Sequence, residues 1–418
     1  MALRQKCQLF VNAWNRLSGY KNMIDGECVV TETLAYGKSE ERQELNGPFS
    51  HIYVEEKVLL DEGYRKKAEE IISHFPEAVV VRIGHYKDVF NRHKQNYVKQ
   101  HHAQALILAV KQGTLVYPGA KVCQSMGNKH FYYTSCMMNC LFDCEYCYLK
   151  GMYPSGNMVI FLNLKDIFSE VEALLKEHPV YLCVSYDSDL MAIEKLTGYV
   201  REWIDFTNRH PDLTIEVRTK AGNIDFESLV EGPGKGICCR TESCGGLKEA
   251  SVNVNASDDG EQESPVSSRN IFAFTLSPEY VVKHYEHKTG SLEGRIRSVK
   301  KALELGFTVR LCFDPMIFCP DWRSEYEKMM DKVFAEIPVE KIFDFSVGSF
   351  RLSEEYLKNM RRNMPDSAVV QYPYENDHGV YHYSRKLTDE MENRMVEKLC
   401  EKVTEEKIFR WSSVNEQS

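Results

Sequence analysis

Four cysteines lie within twelve residues in the string TSCMMNCLFDCEYCYLKG: Cys136, Cys140, Cys144 and Cys147. A cytosolic chain keeps its thiols reduced, so clustered cysteines point to metal or redox chemistry rather than to disulfides. The last three stand in the spacing C-x3-C-x2-C. Three thiolates on one short loop can occupy three corners of a cubane iron–sulfur cluster and leave the fourth iron open to bind and polarise a substrate. With Cys136 as a fourth thiolate, the same string could instead close a structural zinc site. Tyr146, just before the last ligand, favours the iron–sulfur reading. A second group, Cys238, Cys239 and Cys244, contains adjacent thiols that chelate one ion awkwardly. The other cysteines of the fourteen (Cys7, Cys28, Cys123, Cys183, Cys312, Cys319 and Cys400) are scattered, as small buried hydrophobes are.

The loop needs a scaffold, and the chain after it alternates strand-like and helix-like runs. VYLCVSY (Val180 to Tyr186) is a continuous apolar stretch suited to a buried parallel strand, and LMAIEKLTGYVREWIDF after it has apolar residues at helical spacing. LTIEVRTK and IFAFTL are further strands, followed by the helix SLEGRIRSVKKALELG with Gly306 as its stop signal. Strands at 307–317 and 343–350 complete the series. Such alternation implies an α/β fold with a parallel sheet and crossover helices, here a partial (β/α)6 TIM-type barrel whose chemistry sits at the C-terminal ends of the strands. The expected organisation is an N-terminal α/β region over 1–122, the barrel over 123–350 and a small C-terminal element over 351–418. Residues 232–269, rich in Gly, Ser, Asn and acidic residues, are expected to form a disordered insertion in the barrel.

Composition narrows the class further. The chain of 418 residues is 43% hydrophobic and 27% charged, as globular proteins are. Its 52 Lys+Arg against 61 Asp+Glu give a net charge of −9, which argues against a basic nucleic-acid-binding surface overall. One local patch exists: Arg82, Lys87, Arg92, Lys94 and Lys99 stand among four histidines, with Phe90 and Tyr97 interleaved. It reads as a solvated, partly helical face or as a phosphate-binding one. No apolar run is long enough to span a bilayer and the N-terminus has no signal-peptide pattern, so the expectation is a cytoplasmic protein with no membrane partner.

The cysteine spacing, with its aromatic residue before the last ligand at the first strand of a βα series, resembles that of the radical S-adenosylmethionine (SAM) enzymes. More narrowly, CEYCYL, DSDLMAIEKLT (Asp187 to Thr197), VRTK (Val217 to Lys220) and FTLSPEYVVKHYEHKTGSLEGRI (Phe274 to Ile296) resemble, in order, segments of the spore photoproduct lyase family, over roughly residues 130–350. The resemblance implies a [4Fe-4S] cluster on Cys140, Cys144 and Cys147, whose open iron binds SAM. It implies SAM contacts at Ser188, Lys220, Thr275 and Ser277, with Lys220 suited to pair with the methionyl carboxylate. One electron from the cluster would cleave SAM to a 5′-deoxyadenosyl radical, which would abstract hydrogen from a thymine-dimer photolesion in DNA. Tyr146 and Tyr148 match tyrosines that relay hydrogen atoms in the family. DNA is the implied substrate, and an external electron donor such as flavodoxin or ferredoxin is the implied partner.

Two places depart from the family pattern. The family has a cysteine that quenches the product radical just before the segment matching DSD, and here Tyr186 takes that position. Cys183 lies three residues earlier and, on a strand, faces the opposite side. Tyr186 is therefore the candidate hydrogen donor. Near the C-terminus the family has a basic, aromatic segment at the lesion, whereas YPYENDHGVYHYSRK carries Glu375 and Asp377, poor neighbours for a phosphate. Tyr381, Tyr383, Arg385 and Lys386 are the contacts left there. A radical SAM enzyme with another nucleic acid, nucleotide or peptide substrate, and a non-catalytic nucleic-acid-binding protein with a structural zinc cluster, are the alternative readings.

Overall fold

A parallel strand buried on both faces reads as an unbroken apolar run, and the first such strands begin a sheet ahead of the cysteines. The computed structural model describes residues 49–119, 124–230 and 268–410. In it β1 (His51–Glu55) pairs in parallel with β2 (Val79–Ile83) and with β3 (Leu106–Ala109), the latter wholly buried. Next come β4 (Val116–Pro118) and β5 (Phe131–Thr134), then two short strands within the cysteine loop, β6 (Met137–Met138) and β7 (Asp143–Cys144). β8 (Met158–Phe161) then returns to the first sheet, giving it the order β2-β1-β3-β8-β6. Two of its strands thus come from beyond the boundary expected at residue 122.

The second sheet is the barrel. β9 (Val180–Cys183), β10 (Leu213–Thr219) and β11 (Asn270–Thr275) follow the expected runs; β12 (Glu286–His287) pairs antiparallel with β7; β13 (Thr308–Met316) and β14 (Asp344–Ser349) complete the series. β15 (Arg351–Ser353), β16 (Glu375–Asp377) and β17 (Val380–His382) form a separate small sheet, and β18 (Ile408–Arg410) joins β14 in parallel. The sheet order is β18-β14-β13-β11-β10-β9-β5-β4, parallel throughout except at the β4 edge. The six expected strands run from β5 to β14, and the C-terminal element adds a seventh parallel one.

Helices close the crossovers where their apolar stripes predict. Ser291 caps the helix Leu292–Glu304 by accepting from Gly294 N at 3.1 Å, and Gly306, at φ 79°, ends it. The run after β9 is less continuous than its periodicity suggests. A 3-10 turn (Leu190–Ile193) and a short helix (Glu194–Thr197) stop at Gly198, whose φ of 66° belongs to the left-handed region, and the helix Tyr199–Asn208 starts anew. The Glu194 carboxylate accepts from Val200 N at 2.7 Å and Arg201 N at 3.0 Å, so the break satisfies the orphan donors of the second helix. The basic patch is divided: Arg82 is on β2, Lys87 and Lys99 are on the short helices Lys87–Phe90 and Tyr97–His102, and Arg92 and Lys94 lie between the helices. Among the described residues no helix is long and apolar enough to cross a membrane. Cys7, Cys28, Cys123 and the group Cys238, Cys239 and Cys244 lie outside the described residues, as does the insertion except for residues 268 and 269. Cys312 and Cys319 are buried thiols, as scattered cysteines tend to be, whereas Cys400 is exposed.

Inside the barrel the strands carry charge. Arg310 on β13 forms a two-pronged pair with Asp344 on β14 and reaches Glu216 on β10 at 2.6 Å, while Tyr181 and Arg218 also hydrogen-bond to Glu216. Burial alone would raise the Glu216 carboxyl, but the two guanidinium groups win and hold it down at about 2, from an ordinary 4.5. A carboxylate lowered in this way stabilises the fold fully above pH 4.5, and the contribution is lost as the pH falls toward 2. Glu216→Gln should therefore lower stability near neutral pH by about 3–5 kcal/mol, the cost of breaking a buried pair, and flatten the loss on acidification. Urea midpoints measured across that pH range check this, and an acid limb as steep as the parent's would exclude Glu216 as its source.

Candidate functional site

The cysteine loop leaves the end of β5 and is buried between the two sheets, so its peptide groups need partners. Tyr285 O accepts from Glu145 N and Phe161 N donates to the Cys136 carbonyl, while Asn139, inside the loop, ties it to the chain on either side. Asn139 is fully buried at φ 66°, its side-chain amide donates to the carbonyls of Ser155 (2.7 Å) and Asn157 (2.6 Å), and its oxygen accepts from the Tyr97 hydroxyl at 3.0 Å. The Cys140 carbonyl accepts from Gln104 Nε2 at 3.2 Å and lies 3.1 Å from His101 Nε2. Burial pushes the His101 imidazole down to about 4, so it is neutral at pH 7 and can donate through Nε2. Beneath the loop the Asp143 carboxylate pairs with Lys150, which holds it below the usual carboxylate range against burial.

Cys140, Cys144 and Cys147 come together at the mouth of the barrel. Burial raises all three thiols, and Cys140 and Cys144 are raised further by their thiol neighbours in the loop. Lys220, at the end of β10, works the other way: its ammonium favours the thiolates of Cys144 and Cys147, and they and Glu286 raise its own pKa despite burial. It lies 5.6 Å from the Tyr146 ring centroid. Cys136 stands apart, fully buried and accepting from the Trp203 indole N–H at 3.4 Å, with Lys111 and Glu202 as its charged neighbours. Among the described residues no three His, Cys, Asp or Glu side chains are gathered tightly enough to hold one metal ion. The hydrogen-bonding and charged neighbours of Cys136 are thus Trp203, Lys111 and Glu202 rather than the other three thiols. Three thiols beside a cation suit instead a cluster that takes each thiolate on a separate iron.

The other expected residues ring the same mouth. Ser188, just past β9, has a buried hydroxyl with no hydrogen-bond partner among the described residues, as a side chain that meets a polar ligand would. Thr275 ends β11 and is buried. Ser277 is already engaged, donating to Glu286 at 2.7 Å. Tyr146 also donates to Glu286, and Arg295 pairs with it, so a fully buried carboxylate on β12, the strand paired with β7, fixes the aromatic residue of the cysteine motif. Tyr148 donates to the Tyr186 carbonyl at 2.6 Å, and the rings of Tyr186 and Tyr133 stack at 4.0 Å. Cys183 is fully buried in β9, opposite Tyr133 and Glu216, whereas Tyr186 lies beyond the strand end. Near the C-terminus Tyr383 is core rather than surface, its hydroxyl accepting from Phe318 N at 2.9 Å, and Arg385 pairs with Asp377 at 2.9 Å.

Sequence reasoning did not find Glu286, Arg295, Asn139 or Asp189. Asp189 ties the ends of β9 and β10, accepting from Thr219 Oγ1 at 2.9 Å and Lys220 N at 2.7 Å. Glu286 and Arg295 lie within the quoted block FTLSPEYVVKHYEHKTGSLEGRI, and a charge pair nine residues apart bracketing a turn and a helix start was the available signal.

Comparison with known proteins bears on this arrangement. A family model described as spore photoproduct lyase matches residues 261–411. Spore photoproduct lyase of Clostridium acetobutylicum is 21% identical over 255 residues, 60% of this chain and 64% of that protein; the Bacillus subtilis enzyme is 20% identical over 55% of this chain and 59% of its own length. The chain therefore matches just under two thirds of these relatives' lengths. A solved spore photoproduct lyase complexed with dinucleoside spore photoproduct has the same fold, with a TM-score of 0.66 at 15% identity over 87% of this chain and 98% of that one.

The chain is similar to spore photoproduct lyase in sequence and in fold. Its barrel shares the fold of that solved enzyme, and here the cysteine loop follows the first parallel strand. A solved variant of spore photoproduct lyase with bound AdoMet and dinucleoside spore photoproduct shares that fold at a TM-score of 0.65.

The Glu286 network gives a direct test. Tyr146→Phe removes one of the donors to this carboxylate and should cost about 1.5–3 kcal/mol, the range for a hydrogen bond to a charged group. A shift of the urea midpoint at unchanged slope would show it; an unshifted midpoint would mean that the Tyr146 hydroxyl does not hold Glu286.

Proposed function

We propose that the chain is a radical SAM enzyme acting on a thymine-dimer photolesion in DNA, with a [4Fe-4S] cluster on Cys140, Cys144 and Cys147. The observation that carries this reading is the convergence of these thiols with Lys220 and the unpartnered Ser188 hydroxyl at one barrel mouth. When bound, the reduced cluster and SAM supply a 5′-deoxyadenosyl radical able to take hydrogen from a carbon centre.

The residues of this chain do the rest. Lys220 and Ser188 offer a cation and a hydroxyl to the SAM carboxylate, and Thr275 lines the end of the next strand. Ser277, committed to Glu286, acts on the site through that carboxylate. The tyrosines divide in role. The Tyr146 phenol is tied to an ionised carboxylate held below its ordinary pKa by Arg295 and Lys220, so releasing its hydrogen would break a strong bond. Tyr148, bonded to a neutral carbonyl, and Tyr186 are better placed to pass a hydrogen atom to a substrate radical. An external electron donor such as flavodoxin or ferredoxin is required, and DNA is the substrate on this reading.

A second reading, a radical SAM enzyme with another nucleic acid, nucleotide or peptide substrate, is favoured by Tyr186 at the radical-quenching position and by Glu375 and Asp377 in the C-terminal hairpin.

Anaerobic reconstitution should give a brown protein with about four irons per chain, as three thiolates holding a cubane require. SAM cleavage to 5′-deoxyadenosine should be lost in Cys140→Ala. With dinucleoside spore photoproduct, the reconstituted chain should regenerate thymine. SAM cleavage without thymine would select the second reading, and colourless protein carrying stoichiometric zinc would overturn both.

A further inference from the structure

Asp187, unlike its neighbours Ser188 and Asp189, has no part in the sites assigned so far. It follows the end of β9 and is 7% exposed. Its Oδ2 accepts from Ser135 Oγ, while Oδ1 is buried with no partner in hydrogen-bond geometry among the described residues. A buried carboxylate oxygen left unpaired is costly.

What surrounds it is specific. The phenols of Tyr117, Tyr148, Tyr153 and Tyr356 and the ammonium of Lys111 all lie close enough to interact electrostatically with Asp187. Lys111 donates to the Ser135 carbonyl at 3.1 Å and lies 5.0 Å from the Tyr117 ring centroid. The rings of Tyr117 and Tyr133 stack at 5.2 Å, and those of Tyr133 and Tyr186 at 4.0 Å. The result is one acceptor ringed by donors, next to a run of stacked aromatic faces, beside the cysteine loop. That pattern complements a planar ring whose N–H is flanked by two carbonyls, the imide edge of thymine or uracil, and opposes the edge of cytosine.

We propose that Asp187 is a substrate-recognition residue, its Oδ1 accepting the ring N–H of an imide nucleobase while Lys111 and Tyr356 donate to the flanking carbonyls. This rests on the nucleic-acid reading above and names the base edge it selects. A site built to bind an N–H strongly rejects the analogue lacking it.

The test compares binding of dinucleoside spore photoproduct and its N3-methylated counterpart to the reconstituted chain. The parent chain should bind the methylated ligand about 10–100-fold more weakly, the worth of a hydrogen bond to a charged group. Asp187→Ala should bind the unmethylated ligand correspondingly weakly and lose the preference. Equal affinity of the parent chain for the two ligands, a comparison that needs no variant, would overturn the proposal, as would a preference that survives in a folded Asp187→Ala. Thymine regeneration by the parent chain is read in parallel. Repair without sensitivity to methylation would sink this inference alone, whereas absence of both repair and lesion binding would sink the functional reading beneath it.

Discussion

A loop can be buried between two sheets only if its peptide groups find partners there, and the cysteine loop meets that condition through side chains from far along the chain. Asn139, inside the loop, anchors it by donating to the carbonyls of Ser155 and Asn157 and accepting from the Tyr97 hydroxyl, and its left-handed backbone turns the chain just before Cys140. The Cys140 carbonyl rests on residues of the N-terminal region, His101 and Gln104. The thiols are therefore presented by both sheets together. β8, which leads away from the loop, belongs to the first sheet, while β5, which leads into it, belongs to the barrel. A cut between an N-terminal region and a barrel at residue 122 would pass through the support of the site.

Charge follows from the same burial. Desolvation opposes thiolates at Cys144 and Cys147, and the nearby cations offset it: Lys220 acts on both, Arg295 on Cys144 and Lys150 on Cys147. Those cations are themselves held by carboxylates, Arg295 by Glu286 and Lys150 by Asp143. The mouth thus has a layer of thiols backed by ion pairs. A second ion network, Glu216 with Arg310 and Asp344, sits among the barrel strands beside Cys183 and Cys312 rather than beside the cysteine loop. The two differ in purpose as in place: one tunes a site, the other joins β10, β13 and β14 where an apolar core would otherwise be.

Much of the scaffold was legible because its signals are local. The strand runs at 180–186, 213–220 and 271–276 and the helix after Ser291 appear where apolar periodicity and caps put them. The run 190–208 was misleading because helical spacing persists across Gly198, and only the backbone there shows that two helices share one stripe. Tyr383 looked like a surface aromatic beside basic residues but fills the core, since alternation in a short hairpin does not say which face is covered. The division of the tyrosines could not be read at all. Tyr146 and Tyr148 flank the same cysteine, yet one bonds a carboxylate 140 positions away and the other a carbonyl 38 away.

By itself the sequence determined which atoms could do chemistry and the order in which strands would present them, because ligand spacing and strand period are written within a few residues. Only the tertiary structure decided what those atoms face. Glu286 beside Tyr146, Ser135 against Asp187 and Gln104 on the Cys140 carbonyl are pairings across 140, 52 and 36 positions. No local pattern encodes them, since each exists only where the folded sheets bring buried polar groups together and burial makes them pair.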